Sequence, residues 1–219
     1  MNKFEKNHIS AFDLDHTLLS INSSYQFGYY LYKKNVFSTS KLCYLLTKYF
    51  FHKLNILSIN QLHQVTFNTI FLNQNSCKIN ELAEDFIDEF LNSYYYKPAL
   101  EKLSEAKENN HFTLLLSSSP CFLVKIIAKK LQFDDWLATT YASNSSGNFS
   151  NITNILLGKD KAIYLENKRI LLGIPVSQTY AYSDSYLDID FLKSAGKAIC
   201  VKPDKKLKHI SVKNNWEII

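Results

Sequence analysis

Short continuous apolar runs alternate with longer stretches of helical spacing along the chain. Near the start, Ile9-Ser10-Ala11-Phe12 reads as a buried strand that ends abruptly at Asp13-Leu14-Asp15-His16-Thr17, before Leu18 and Leu19. From about Asn22 to Ser93 there is no clear strand pattern, and aromatic residues fall at helical spacing. Helices are expected over Tyr25 to Lys34, over Lys41 to Lys53, and after the capping box Ser58-Ile59-Asn60-Gln61, through Leu62, Val65, Ile70 and Phe71. The clearest helix follows, with Ile79, Leu82, Ala83, Phe86, Ile87, Phe90 and Leu91 at three- and four-residue steps. From Pro98 onward strand and helix alternate. A helix near Ala99 to Glu108 precedes a strand over Phe112 to Leu116, a helix over Phe122 to Leu131 and a short strand near Ala138 to Ala142. The turn Asn144-Ser145-Ser146-Gly147-Asn148 joins a small hairpin, and a helix opens at Gly158. A strand then runs into Asp184, a last strand covers Ala198 to Val201, and a short tail carries Trp216. This alternation predicts an α/β fold with a doubly wound parallel sheet. Residues 1–20 and 94–219 are expected to form the core, and residues 21–93 an inserted helical unit.

The chemistry concentrates at the strand ends. Asp13 and Asp15 stand one residue apart where the first strand gives way to a loop. Once the chain curls, their carboxylate and carbonyl oxygens can converge on one cation with few protein ligands, a pattern that suits Mg²⁺. A carboxylate held against such a cation can attack phosphorus while a neighbouring acid protonates the leaving oxygen. Asp13 is the candidate nucleophile and Asp15 the candidate acid/base. Taken singly, every such feature also fits an ordinary turn or helix cap.

Asp-x-Asp-x-Thr at the end of an apolar strand resembles the first motif of the haloacid dehalogenase (HAD) superfamily of phosphatases, with Thr17 as its hydroxyl, expected at the phosphate. The other motifs follow in order. Ser117-Ser118-Ser119-Pro120 at the end of the second strand resembles the family's strand-terminal Ser or Thr, so Ser117 and Ser118 are expected at the phosphate. Gly158-Lys159-Asp160-Lys161 resembles the motif of the phosphate-neutralising lysine. The Gly-x-x-Lys spacing of the similar subfamily assigns Lys161, with Lys159 as the alternative. Ser183-Asp184-Ser185-Tyr186-Leu187-Asp188 looks like the acidic motif that completes the metal shell, with Asp184 as ligand and Asp188 as its orienting partner. The resemblance implies a Rossmann-like core, a Mg²⁺ cofactor held by Asp13, Asp15 and Asp184, and an aspartyl-phosphate mechanism. The helical insertion resembles the small cap of the subclass that includes phosphoserine phosphatase, the HAD-IB hydrolases.

Two departures bear on the substrate. Phosphoserine phosphatases use a cap Glu shortly after the first motif, with a cap Arg, to bind the amino acid; this chain has Ser20-Ile21-Asn22-Ser23-Ser24 there, and its only Arg is Arg169. Asn22 and Ser23 are therefore the candidate specificity residues on the cap side. Ser183 stands where relatives usually carry Gly, which would cost energy if that position needs a positive φ. His16, in the variable place of the first motif, reads as a loop residue.

Composition narrows the classes further. An apolar share of 46% in 219 residues is ample for a packed core, and the net charge of +5 comes from dispersed lysines, which does not call for nucleic acid. Cys43, Cys77, Cys121 and Cys200 form no metal-type pair, and no signal-peptide pattern opens the chain, so a cytoplasmic protein with reduced thiols is expected. The run Leu42 to Phe51 is too short to span a bilayer. Its aromatic and basic character allows peripheral lipid contact, but a cap helix packed on its neighbours is the favoured reading. The expected function is a Mg²⁺-dependent hydrolase of small phosphorylated metabolites. The alternatives are a lipid or lysolipid phosphatase whose cap touches membrane, and a catalytically weak HAD-like binding protein. A phospho-receiver domain is disfavoured, since it would carry no helical insertion. The sequence leaves the oligomeric state open.

Overall fold

A computed structural model describes residues 6–219. Strand β1 (Ile9–Phe12) is buried at every position and lies at the centre of a seven-stranded sheet. It pairs in parallel with β2 (Phe112–Pro120) on one side and β5 (Thr179–Ser183) on the other. Burial on both faces of a parallel sheet explains why the strand reads as a continuous apolar run rather than an alternating one. β3 (Asp135–Ser143) follows β2 in parallel, and β4 (Phe149–Asn154) closes that side as the antiparallel arm of the expected hairpin. On the other side stand β6 (Lys197–Cys200) and β7 (Glu217–Ile218), giving the order β4-β3-β2-β1-β5-β6-β7. The chain moves outward from β1 to one edge, then returns to β5. The β1/β5 boundary is thus the switch point, where open α/β sheets form a crevice at the carboxyl ends of their strands.

Helices α1 (Ser23–Lys33), α2 (Thr39–Lys53), α3 (Ile59–Thr66) and α4 (Ser76–Phe90) occupy the stretch between β1 and β2. The capping box at Ser58 is present, with Gln61 N–H donating to Ser58 Oγ and Ser58 N–H to Gln61 Oε1. α3 runs on into a π-helical turn, Phe67–Phe71, which the helical spacing did not distinguish from ordinary helix. That turn buries Phe67, Ile70 and Phe71, and Phe71 packs on Phe122, Tyr141 and Phe149. One apolar cluster therefore runs from the sheet into α1, the π turn and α4. Neither α2 nor α3 has a fully buried residue, and α2 packs on the cluster through the partly buried Leu42 and Leu45. The stretch leaves at Ser20 and returns beside it: Ser20 N–H donates to Tyr94 O and Tyr96 N–H to Leu18 O.

The remaining helices are α5 (Lys97–Glu108), α6 (Cys121–Lys130), α7 (Gly158–Leu171), α8 (Ile189–Ser194) and α9 (Lys205–Lys213). A second cluster covers the other face of the sheet, with Leu165, Phe191, Leu192 and Leu207 over Ala11, Leu114 and Ala181. The C-terminal tail is more ordered than its sequence indicates, since it forms α9 and β7. Asp204 caps α9 by accepting from the N–H groups of Lys206 and Leu207.

Candidate active site

The first carboxylate owes its place to β1. Asp13 N–H donates to Tyr182 O at 2.9 Å, continuing the β1/β5 ladder by one residue. The chain then winds around one acceptor, with the N–H groups of Thr17, Leu18 and Leu19 all directed at Leu14 O. Leu14, Leu18 and Leu19 are fully buried, so the loop is anchored from below, and His16 takes a left-handed φ of 61° in an exposed position.

Lys161 enters from α7, and a glycine makes its approach feasible. A Cβ on Gly158 would stand 2.2 Å from Leu187 O and 2.9 Å from Asp188 Cα, so only glycine lets the start of α7 touch the Leu187–Asp188 turn. That contact brings Lys161 Nζ to 2.6 Å from Asp13 Oδ1 and 2.7 Å from Asp188 Oδ2, with all three side chains buried. Lys159 is exposed on the outer side of the same turn.

Asp184 follows β5, and its Oδ1 accepts from Thr17 Oγ1 at 3.3 Å. The Thr17 hydroxyl, expected at phosphate, donates to Asp184 here. Ser183 lies inside β5 without a positive φ, so the strain feared for Ser in place of Gly is absent. Its hydroxyl donates instead to Asp188 Oδ2 at 2.7 Å. Asp204, which sequence reasoning missed, braces this loop: its N–H donates to Asp184 O, and its Oδ2 accepts from Tyr186 N–H at 2.7 Å.

Asp15 is held from two directions. Its Oδ1 accepts from Ser23 N–H at 2.8 Å, and its Oδ2 from Asn22 Nδ2 at 3.3 Å and from Ser119 Oγ at 2.6 Å. Asn22 caps α1, so an unpaired N–H of the helix's first turn and the cap side chain both serve this acid. Ser119 is the second residue that sequence reasoning missed. Ser117 and Ser119 are buried and Ser118 is partly exposed, in a segment where the register with β3 shifts. Ser117 Oγ accepts from Ser119 N–H at 3.1 Å, and Ser119 Oγ also meets Ser23 Oγ at 3.1 Å and Ser24 Oγ at 2.6 Å.

The site holds four carboxylates, Asp13, Asp15, Asp184 and Asp188, around one ammonium. Burial and the charges of Asp188 and Asp15 push Asp13 up to about 7 against the pull of Lys161. Burial and the charges of Asp13 and Asp188 push Asp184 up to about 8. Burial alone would lower Lys161, but Asp13 and Asp188 overcome it and hold the ammonium well above the usual lysine range. This surplus of negative charge, borne by hard oxygen donors, fits a divalent cation between Asp13 and Asp184. No group of three or more His, Cys, Asp or Glu side chains gathers as a metal cage among the described residues. The donors on offer are thus two side chains and main-chain carbonyls, as suits an ion that keeps several waters.

The raised values have a measurable consequence. Between about pH 4 and pH 8 the folded state binds protons at Asp13 and Asp184 that the unfolded chain has released. Stability of the metal-free protein is therefore expected to fall as pH rises through that window. Added Mg²⁺ should restore it most at the upper end, read as the thermal midpoint with and without the ion. A midpoint that Mg²⁺ leaves unmoved at every pH would count against a metal site here.

A cavity of about 220 Å³ opens beside Asp184, lined by His16, Ser20, Tyr96, Lys202 and Asp204. A larger one of about 490 Å³ is lined by residues such as His8, His111 and Lys197, at the beginnings of the strands, and none of the four carboxylates lines it.

The haloacid dehalogenase-like hydrolase family matches residues 11–193. The phosphoserine phosphatase SerB1 of Mycobacterium tuberculosis is 26% identical over 212 residues, covering 94% of this chain and 68% of that protein. A histidinol-phosphatase of Neisseria meningitidis is 24% identical over 222 residues, covering 97% and 98%. Among solved structures, a Bordetella pertussis protein of unknown function superposes with a TM-score of 0.85 at 19% identity, covering 98% of both chains. A phospho-aspartyl intermediate analogue of phosphoserine phosphatase gives a TM-score of 0.70 at 18% identity, covering 97% of this chain and 92% of that one. At these identities the structural likeness is one of fold. The match across both ends of the acidic site makes the assignment: this chain belongs to the haloacid dehalogenase-like hydrolase family.

Proposed function

We infer that the protein is a Mg²⁺-dependent phosphomonoester hydrolase that passes through an aspartyl-phosphate on Asp13, with a small phosphorylated metabolite as its substrate. The observation that carries this reading is the buried Lys161 bridging Asp13 and Asp188, with Asp15 held separately on the same loop. A carboxylate beside a fixed ammonium is positioned to attack an anionic phosphoryl group. Asp13 attacks phosphorus in line and the ester bond breaks, while Asp15 gives its proton to the departing alkoxide. Asp15 then takes a proton from water, which attacks the acyl phosphate, releases inorganic phosphate and restores the Asp13 carboxylate. Lys161 and Ser117 hold the equatorial oxygens as charge shifts. Mg²⁺, held by Asp13, Asp184 and the Asp15 main-chain carbonyl, would supply the positive charge that lets two anions meet. Residues 21–93 serve as the cap, and Asn22 and Ser23 connect its first turn to the acid/base. Free thiols at all four cysteines support a reducing, cytoplasmic setting.

The leaving alcohol carries no ammonium group in this reading. Residues 16–80 contain no Asp or Glu, and the acids of α4, such as Glu81, Glu84 and Asp85, are exposed. Arg169, the only arginine, is paired with Glu166 on α7. A phosphatase panel with Mg²⁺ tests the assignment. Phosphates of neutral alcohols should be hydrolysed in preference to phosphoserine and histidinol phosphate. The reading fails if no panel member turns over and no fluoride-metal phosphate mimic binds.

Ser119 supplies a sharper expectation. Ser119→Ala removes the 2.6 Å donor to Asp15 while leaving the Ser117 and Lys161 contacts untouched. A fall in kcat of about tenfold with little change in KM is expected, as for loss of one group that positions an acid/base. Unchanged kcat would show that Asn22 and Ser23 suffice to place Asp15.

A further inference from the structure

α2 and the turn after it carry most of the exposed large apolar and aromatic side chains of the helical stretch. Leu46, Phe50 and Leu54 recur every four residues along that side and are 42%, 58% and 52% exposed, and Ile56 beyond them is 67% exposed. Tyr44 and Tyr49 flank this row, and Tyr49 meets the exposed Tyr25 of α1 at a ring separation of 6.3 Å. Lysines lie over these rings: Lys48 Nζ stands 5.1 Å from the Tyr44 centroid and Lys53 Nζ 5.3 Å from that of Tyr49. An ammonium on a long apolar stem beside an aromatic ring can rise to a polar boundary while the ring sinks below it.

Charge says what this face meets. All 20 acidic residues lie outside residues 16–80, a stretch that carries Lys33, Lys34, Lys41, Lys48, Lys53 and Lys78. The stretch that carries this exposed helix thus holds lysines and no acid of its own, although Asp85 and Glu89 of α4 stand near Lys34. A second copy of the same face would repel the first. A nucleic acid would gain little from Leu46, Leu54 and Ile56 and would find no arginine here. An anionic bilayer satisfies both parts, apolar side chains entering the acyl boundary and lysines staying among the head groups.

We propose that the α2 face is a peripheral docking surface for anionic lipid bilayers, with Leu46, Phe50 and Leu54 as apolar anchors and Lys53, beside that row, as an electrostatic contact. No described helix is long and apolar enough to cross a membrane, so the contact is superficial. Docking this way is independent of the phosphatase chemistry, because none of these residues belongs to the acidic site. The surface holds the enzyme at a membrane without requiring that the substrate be a lipid.

Co-sedimentation of the full chain with unilamellar vesicles tests this. The protein should pellet with phosphatidylcholine vesicles containing phosphatidylglycerol, remain in the supernatant with pure phosphatidylcholine, and be released by salt. Lys53→Gln should weaken binding by about fivefold, the effect of one lysine near the surface. Leu46→Ser with Phe50→Ser and Leu54→Ser should abolish pelleting while aryl phosphate turnover and the circular dichroism spectrum stay as in the parent. Equal recovery in the supernatant with both vesicle types overturns the proposal, and so does pelleting that the triple variant does not reduce. Dimerisation in light scattering that the triple variant abolishes, without vesicle binding, would assign the face to a second copy instead.

Discussion

Asp13→Asn is expected to lower turnover of an aryl phosphate by about 10⁴-fold or more, the scale for losing a covalent nucleophile. The substitution is isosteric, and an amide oxygen can still accept from Lys161, whose ammonium lies 2.6 Å from Asp13 Oδ1. Folding should survive it. The thermal midpoint of the metal-free protein at neutral pH should rise or hold, because one of four crowded carboxylates has lost its charge. The response to Mg²⁺ should shrink for the same reason, since the amide is a weaker ligand than the carboxylate. This combination separates a nucleophile that is also a metal ligand from a residue that merely supports the fold, whose loss would lower activity and midpoint together. Activity within about tenfold of the parent, a change worth only about 1.4 kcal/mol of barrier, would move the nucleophile elsewhere.

The sequence made the strands around the site readable because each is buried on both faces. A parallel strand under two layers of helix is buried on both faces and mostly apolar, so Ile9–Phe12, whose one polar residue Ser10 is paired with His111, and the run through Leu114 to Leu116 stand out, and the carboxylate or serine after each marks the rim. Gly158 was readable for a related reason: a helix that starts against a backbone turn accepts no Cβ. Ser119 was not, because three serines in a row carry no apolar pattern to show which share a face. In the structure Ser119 N–H donates to Ser117 Oγ and Ser119 Oγ to Asp15. Ser183 looked like a strained substitute for glycine because the family resemblance gave the residue type without its backbone angles. In the structure it is an ordinary strand residue with a hydroxyl partner. α9 and β7 escaped notice because Lys205–Lys213 is rich in lysine and β7 is two residues long, so neither shows a period; the Asp204 cap was the available signal. α2 was readable only in part. It packs on the core through Leu42 and Leu45, as its apolar spacing suggests, but its aromatic richness did not show that Tyr44, Tyr49 and Phe50 stay exposed.

Lys161→Met is expected to be the most destabilising single change at the site, by about 3–5 kcal/mol, the cost of removing one partner from buried ion pairs. For a chain of this size that amounts to a midpoint lower by about 10 °C. Met fills the volume of the lysine stem, so the loss is electrostatic rather than a cavity. Lys161 is the only cation that neutralises Asp13 and Asp188 in the described structure, and both carboxylates are buried. Without it, Asp13 is left against its acidic neighbours. Its carboxyl, already raised in the parent, is then driven further above its unfolded value, so the variant should be least stable at neutral pH and regain stability as pH falls toward 4. Adding Asp13→Asn to Lys161→Met should recover part of the lost midpoint, because the two residues share one interaction and their effects cannot add. Activity should stay absent in the double variant. Such a recovery distinguishes a lysine retained to balance buried acids, and so to hold phosphate, from one that only packs: additive losses would mean that Lys161 contributes through its stem, and the phosphate-neutralising role would pass to another cation.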